Sequence, residues 1–507
     1  MDSAKLTIDP AFDIAPVERR LFGSFVEHMG RSVYTGVYEP GHPDADERGL
    51  RRDVIDLARE MGVTVVRYPG GNFVSNYTWE DGVGPADERP TRLDLAWRQI
   101  ETNAFGLHEF MTWIGELPAE PMLAVNLGTR GLREACDLLE YANHPHGTRW
   151  SDLRVKHGMR EPYDVRLWCL GNEMDGPWQI GGKTAEEYGR LAAETAKAMR
   201  RVDPRVELVA CGSSNSRMPT FASWEETVLE HCYDHVDYIS LHAYYDPVGG
   251  DRASYLASAE DMAAQIDAVV ATADHVAAKL SSRKRLRLAF DEWNVWSQSL
   301  FGGEASLDWA EAPRIIEEDY DVTAAAVVGS LLITLLNRAD RVGVACQAQL
   351  ANVIAPIRTE PGGPSWRQAI FHPFALTASH ARGRVLRVDT ASPTFPTERF
   401  GEVPALVAAA THDDDGGELT IFAVNRGERP LPLDVELRGL PGFAGVHHVA
   451  VADGDAGARN SAEAPDRVMP RAVDGAVTAG NRLSAVLPPI SFNVLRLVPD
   501  PGDRAEG

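Results

Sequence analysis

Eight short apolar runs, each followed by a polar residue and then by a helical pattern, constrain this chain more than any other feature of its sequence. They are Leu21–Phe25, Val63–Tyr68, Met122–Leu127, Val165–Leu170, Val206–Cys211, Tyr238–His242, Leu286–Phe290 and Val342–Cys346. Most are apolar at successive positions, the pattern of parallel strands buried on both faces. Between the first two, Leu50, Val54, Leu57 and Met61 recur at steps of four and three, with Gly62 placed to stop the helix. Thr184–Val202 and Ala257–Leu280 also read as helices, and Ala324–Leu336 as a core helix too short to span a bilayer. Eight strands with helical crossovers over roughly 360 residues favour a (β/α)8 barrel, while the pattern alone leaves an open doubly wound sheet possible.

Beyond about Leu386 the helical stripes vanish. Short alternating runs replace them at Ala405–Ala410, Leu419–Val424, Leu431–Leu437 and Phe492–Val498, separated by turns such as Asp413–Gly417. That pattern predicts a C-terminal antiparallel β-sandwich. Lys5–Ile8 lies ahead of the first barrel strand and is free to pair into it. The expected division is therefore a catalytic barrel over residues 17–385 and a β-sandwich over 386–507 with 1–16.

A formal net charge of −24 argues against nucleic acid or anionic membrane as the main partner, and leaves a neutral carbohydrate open. The first residues, MDSAKLTIDP, carry no basic segment followed by an apolar core, so no secretory signal is expected. Five cysteines, odd in number and without a CxxC pair, predict buried thiols in a reducing cytoplasm. His28 and His242 end strands without the paired spacing of metal ligands, so neither a metal nor a cofactor is expected.

In a barrel, chemistry collects at the C-terminal ends of the strands. Here those ends carry Glu27, Arg67 with Asn72, Asn126, Asn172 with Glu173, Ser213 with Ser214, His242 with Tyr244, Asp291 with Glu292, and Gln347 with Gln349. Glycoside hydrolysis needs two carboxyl groups at one cleft, one protonated and one ionised. Glu173, after WCLGN, and Glu292, after LAFD, form the best pair. A continued pleat would turn Asp291 away from Glu292, making it a buried partner. Asp175 lies in an Asp-Gly-Pro turn and reads as structural.

The segments LWCLGNEMDGPWQIGGKTAEEYG and LAFDEWNVW resemble the acid/base and nucleophile segments of family 51 glycoside hydrolases, the intracellular α-L-arabinofuranosidases. The similarity continues through FGSFVEHMGR, VRYPGGNFVSNYTWEDGVGP, NHPHGTRWSDLR, ISLHAYY, QAQLANVIAPI and LPPISFNVLRL, and so covers nearly the whole chain. The resemblance implies a barrel with a C-terminal β-sandwich, retention of configuration and a homo-oligomer, commonly a hexamer. It makes Glu173 the general acid/base and Glu292 the nucleophile. It places Glu27, Asn72, Asn172 and Gln349 on the arabinofuranose hydroxyls, Arg67 and Tyr244 beside the nucleophile, and Trp97 and Trp296 at the pocket wall. Gly182 stands where many relatives carry a histidine, which puts contacts on the aglycone side in doubt.

The expected activity is exo-acting release of arabinofuranose from arabino- or arabinoxylo-oligosaccharides in the cytoplasm. The alternatives are a retaining β-xylosidase or endoglucanase on the same barrel and, in a different class, a non-catalytic sugar-binding protein, which would be expected to lack one of the two carboxylates.

Overall fold

The computed structural model describes residues 3–440 and 442–499. Eight parallel strands close into a barrel in chain order: Gly23–Phe25, Val65–Tyr68, Glu120–Val125, Leu167–Leu170, Glu207–Ala210, Tyr238–Tyr245, Arg287–Val295 and Val342–Ala348. The two-residue period of a strand sorts their side chains onto two faces. Val65, Met122, Ala124, Leu167, Cys169, Val209, Ala289, Val344 and Cys346 fill the barrel interior. Their neighbours Val66, Leu123, Trp168, Leu170, Leu208 and Leu288 join the core shared with the surrounding helices.

The crossover helices follow the stripes read from the sequence. Arg52–Met61 ends in a left-handed Gly62, and Ala185–Val202 begins at a Thr184 side chain that accepts from the Glu187 backbone N–H. The helix Val322–Leu336 is buried on every side. One side packs on the barrel and another on the C-terminal sheet through Phe422, Val424, Phe492 and Val494. Gly329 is required there, because a Cβ would lie 2.3 Å from the Phe492 ring.

The C-terminal strands and Ala4–Pro16 form the expected β-domain, with one difference. Ten strands make one continuous hydrogen-bonded sheet that curls over a single apolar cluster containing Leu6, Ile8, Leu406, Ile421, Leu433 and Leu495. The join is Ala4–Pro16, which pairs antiparallel with Arg384–Ala391 on one side and parallel with Leu431–Leu437 on the other. Five strands of this sheet are additions to those expected: Arg384–Ala391, Phe443–Val451, Arg471–Ala472, Val477–Ala479 and Arg482–Leu487. Few positions of the first two are fully buried, whereas Arg482–Leu487 alternates cleanly and is legible in the sequence. No helix among the described residues is long and apolar enough to cross a membrane.

Candidate active site

A cleft of about 320 Å³ opens at the C-terminal ends of the barrel strands. It is lined by Glu27, Asn72, Trp97, Glu173, Tyr244, Glu292, Trp296 and Gln349, eight of the ten residues to which the family resemblance gives a role. Arg67 and Asn172 lie just beneath it.

Glu27 follows the first strand and sits at the closed end. Its carboxylate accepts from the Phe73 backbone N–H at 2.9 Å, Trp97 Nε1 at 3.0 Å and Gln349 Nε2 at 3.1 Å. Gln349 Oε1 in turn accepts from the Glu27 backbone N–H at 3.0 Å. The carboxylate approaches the Gly71 backbone so closely that a Cβ there would fall 2.7 Å from Oε2. Burial and the charge of Glu292 push the Glu27 carboxyl up to about 8. Trp97 is held at a hairpin tip, where Asp94 accepts from the backbone N–H groups of Ala96 and Trp97. Burial raises Asp94 to about 7.

Glu292 lies in the seventh strand. Tyr244 donates its hydroxyl to Glu292 Oε2 at 2.8 Å, and Arg67 Nη1 donates to Oε1 at 2.5 Å. Arg67 also donates through Nη2 to Asn172 Oδ1 at 2.8 Å, and Asn172 donates onward to Asn72 at 3.2 Å. The ring of Tyr244 meets Trp296 edge to face, with centroids 5.3 Å apart, forming one wall. Tyr245 points into the core behind it.

Asp291 requires a correction. It is buried, as expected, but it does not face away from Glu292. From Ala289 to Glu292 the seventh strand spans three residues, against two from Ser240 to His242 on the sixth. This β-bulge breaks the pleat, so Glu292 faces inward together with Asp291, which lies two residues beyond the inward-facing Ala289. Arg67 Nε lies 3.0 Å from Asp291 Oδ2 while its Nη1 reaches Glu292.

Glu173 follows the fourth strand in a left-handed backbone conformation, φ +44°, that strains a residue with a Cβ. It accepts from Trp178 Nε1 at 2.6 Å, and its Oε1 lies 2.9 Å from His242 Nδ1. Burial, followed by the charge of Glu292, raises its pKa against the opposing donors His242 and Trp178. Burial alone would lower His242, but Glu292, Asp291 and Glu173 hold its imidazole up to about 10. Sequence reasoning names neither His242 nor Trp178 as a partner of Glu173. For His242 a signal exists, since it precedes Tyr244 by two residues and shares its strand face. For Trp178 the sequence offers none.

Glu173, His242 and Glu292 each bring a donor atom within 4.8 Å of the others, a spacing a metal ion could use. A metal ion there would have to displace the His242 proton, since the two compete for one imidazole lone pair. Asp175 is structural: it accepts from the Ser214 backbone N–H. Gly182 does not line the cleft; a Cβ there would face the carbonyls of Gly176 and Gln179 within its own loop. Trp178 is the residue of that loop that reaches the opening.

Paired carboxyl groups at the mouth of a barrel, one raised in pKa and the other held by an arginine and a tyrosine, define a glycoside hydrolase. Similarity to known proteins narrows the class. Residues 57–254 match the alpha-L-arabinofuranosidase 1 domain, and residues 291–491 the alpha-L-arabinofuranosidase C-terminal domain. A Streptomyces lividans protein named intracellular exo-alpha-(1->5)-L-arabinofuranosidase is 59% identical over 507 residues, covering 99% of this chain and 76% of the relative. A Bifidobacterium longum exo-alpha-(1->6)-L-arabinofuranosidase is 50% identical over 511 residues, covering 98% of each. The solved structure of AbfB, a family 51 alpha-L-arabinofuranosidase from Bifidobacterium longum, superposes with a TM-score of 0.94 at 46% identity, covering 98% of this chain and 100% of that one. The chain belongs to family 51 of the α-L-arabinofuranosidases.

Proposed function

We propose that this enzyme is an exo-acting, retaining α-L-arabinofuranosidase that removes terminal arabinofuranose from neutral arabino- or arabinoxylo-oligosaccharides in the cytoplasm. The observation that carries the reading is the spacing of Glu173 and Glu292, which bring oxygens within 4.8 Å of each other in one cleft. Retention needs carboxyl groups about 5–5.5 Å apart, and inversion roughly 6.5–9.5 Å to admit a water. In the first step Glu292 attacks the anomeric carbon and Glu173 protonates the departing oxygen. In the second, water attacks the glycosyl-enzyme and gives its proton to Glu173.

Glu27, Asn72 and Gln349 would take the sugar hydroxyls at the closed end, which suits a terminal unit. Asn172 would orient Asn72 and share in that recognition, Arg67 and Tyr244 would keep Glu292 ionised and aimed, and Trp97 and Trp296 would pack on the ring. The related enzymes named for (1->5) and (1->6) linkages differ at the bond cleaved, so linkage choice belongs to the outer cleft beyond Glu173. A homo-oligomer, hexameric by family resemblance, completes the proposal; light scattering tests it.

The decisive experiment pairs Glu292→Ala with Glu173→Ala on an activated aryl α-L-arabinofuranoside. Glu292→Ala is expected to be nearly inactive and rescued by azide as the inverted glycosyl azide. Glu173→Ala is expected to accumulate glycosyl-enzyme and to give a retained azide. Full activity of Glu173→Ala on natural oligosaccharides would overturn the acid assignment, and faster turnover of an aryl β-D-xyloside by the unmodified enzyme would overturn the substrate.

A further inference from the structure

One buried acid has no part in that two-carboxylate scheme. Asp291 is 1% exposed and lies below the site, in the bulge beside Glu292. Its Oδ2 is 3.0 Å from Arg67 Nε and accepts from Cys169 Sγ at 3.6 Å, and its Oδ1 is 3.4 Å from His242 Nε2. The two cations it touches are the two that face the reacting carboxyl groups. Arg67 reaches Glu292, and His242 Nδ1 lies 2.9 Å from Glu173 Oε1 and 3.6 Å from Glu292 Oε2. Asp175 is the remaining acid near His242, and it is occupied by Ser214.

We propose that Asp291 is a positioning residue that anchors Arg67 and a cationic His242, so that the buried site stays electroneutral while its mobile negative charge passes from Glu292 to Glu173. The inference rests on the retaining reading above.

The charges balance at each step. Before reaction Arg67 and His242 are positive, Asp291 and Glu292 negative, and Glu173 and Glu27, the latter pushed up to about 8, are protonated, giving zero. Glu292 then forms a bond to the anomeric carbon, the glycosidic C–O bond breaks, and the leaving oxygen keeps the electron pair and takes the Glu173 proton. Glu292 is now a neutral ester and Glu173 is negative, and the sum is again zero. Water reverses both changes: its oxygen bonds to carbon, its proton goes to Glu173, and the ester electron pair returns to Glu292. Throughout, His242 Nδ1 is within hydrogen-bond distance of Glu173 Oε1, and at 3.6 Å from Glu292 Oε2 its charge also faces the nucleophile. A neutral imidazole whose only proton sat on Nε2 would turn a lone pair toward them. Unpaired charge is costly in so buried a site, and Asp291 is the counter-ion that keeps the second cation in place.

Asp291→Asn keeps the shape and removes the charge. The expected result is a fall in kcat/KM of about 10²-fold, the scale of losing one fixed electrostatic stabiliser. Its pH profile is also expected to gain an ionisation between about 5 and 8, where an unsupported histidine titrates. Neutron diffraction from the unmodified protein at pH 8 should show protons on both His242 nitrogens. A merely structural role would lower the rate without adding the ionisation. An Asp291→Asn profile of unchanged shape, or a singly protonated His242 in the unmodified protein, overturns the proposal; if the variant does not fold, the neutron map decides. Failure of the unmodified enzyme to cleave α-L-arabinofuranosides would overturn the functional reading instead, and leaves the two His242 protons as a separate observation.

Discussion

The two ends of the barrel each hold a cluster of charges, and they are built differently. At the end where the strands begin, Arg20 donates to Glu120 at 2.5 and 2.8 Å and to Glu207 at 2.7 and 3.1 Å, Tyr238 donates to Glu207 at 2.8 Å, and Arg287 pairs with Glu18 at 3.0 Å. These carboxylates are partly open to solvent, and Arg20 holds Glu207 below its ordinary range against the effect of burial. At the other end Glu173, Asp291 and Glu292 share Arg67 and His242, while Glu27 beside them is held by Trp97 and Gln349; all six ionisable groups are buried. Acid in surplus over cations, and withdrawn from water, is driven to hold a proton. The lower cluster ties strands together; the upper one stores a proton that chemistry can use.

Substitutions can break this contrast, the largest effect first. Glu292→Ala should lower kcat/KM on an aryl α-L-arabinofuranoside by roughly 10⁴-fold or more without lowering the melting temperature, because the proposed first step needs Glu292 as its nucleophile. Glu173→Ala should cost roughly 10²–10⁴-fold on oligosaccharides, which need the acid, and should abolish the alkaline limb of the pH profile. Trp178→Phe removes a donor that lowers the pKa of Glu173. That pKa should therefore rise, moving the alkaline limb of kcat/KM to higher pH with a rate change under about tenfold.

At the opposite end, Arg20→Ala should leave kcat within about twofold and destabilise by roughly 1–3 kcal/mol, the range for hydrogen bonds to charged groups, as read by urea unfolding. A large loss of activity in Arg20→Ala with unchanged stability would erase the distinction between the two ends. Gly329→Ala, remote from both clusters, should destabilise by about 1–3 kcal/mol through overpacking against Phe492 and leave the pH profile alone.

Much of the site is legible in the sequence because strand ends are legible. An apolar run such as LWCL must be buried, and the barrel sends the residues after it toward the cleft, so the order of residues alone places Glu173 at its lining and Asn172 at that end of the strand. The same logic fails where the backbone departs from regular geometry. A regular pleat running on from the inward-facing Ala289 would keep Asp291 inside and turn Glu292 away; the extra residue that brings both inward is invisible in the order of side chains. Trp178, five residues beyond Glu173, reaches it only because the intervening turn folds back.

The sequence by itself determined the eight-fold alternation of strand and helix, the two carboxyl groups, and the family, because burial period and residue type are local properties. Only the tertiary structure decided which charges share a partner. Arg67, His242 and Asp291 come from the second, sixth and seventh strands, and their separations depend on barrel closure and on one bulge. Electrostatic coupling falls with distance through a medium that burial makes weakly polar, so it belongs to the folded arrangement and not to the order of residues along the chain.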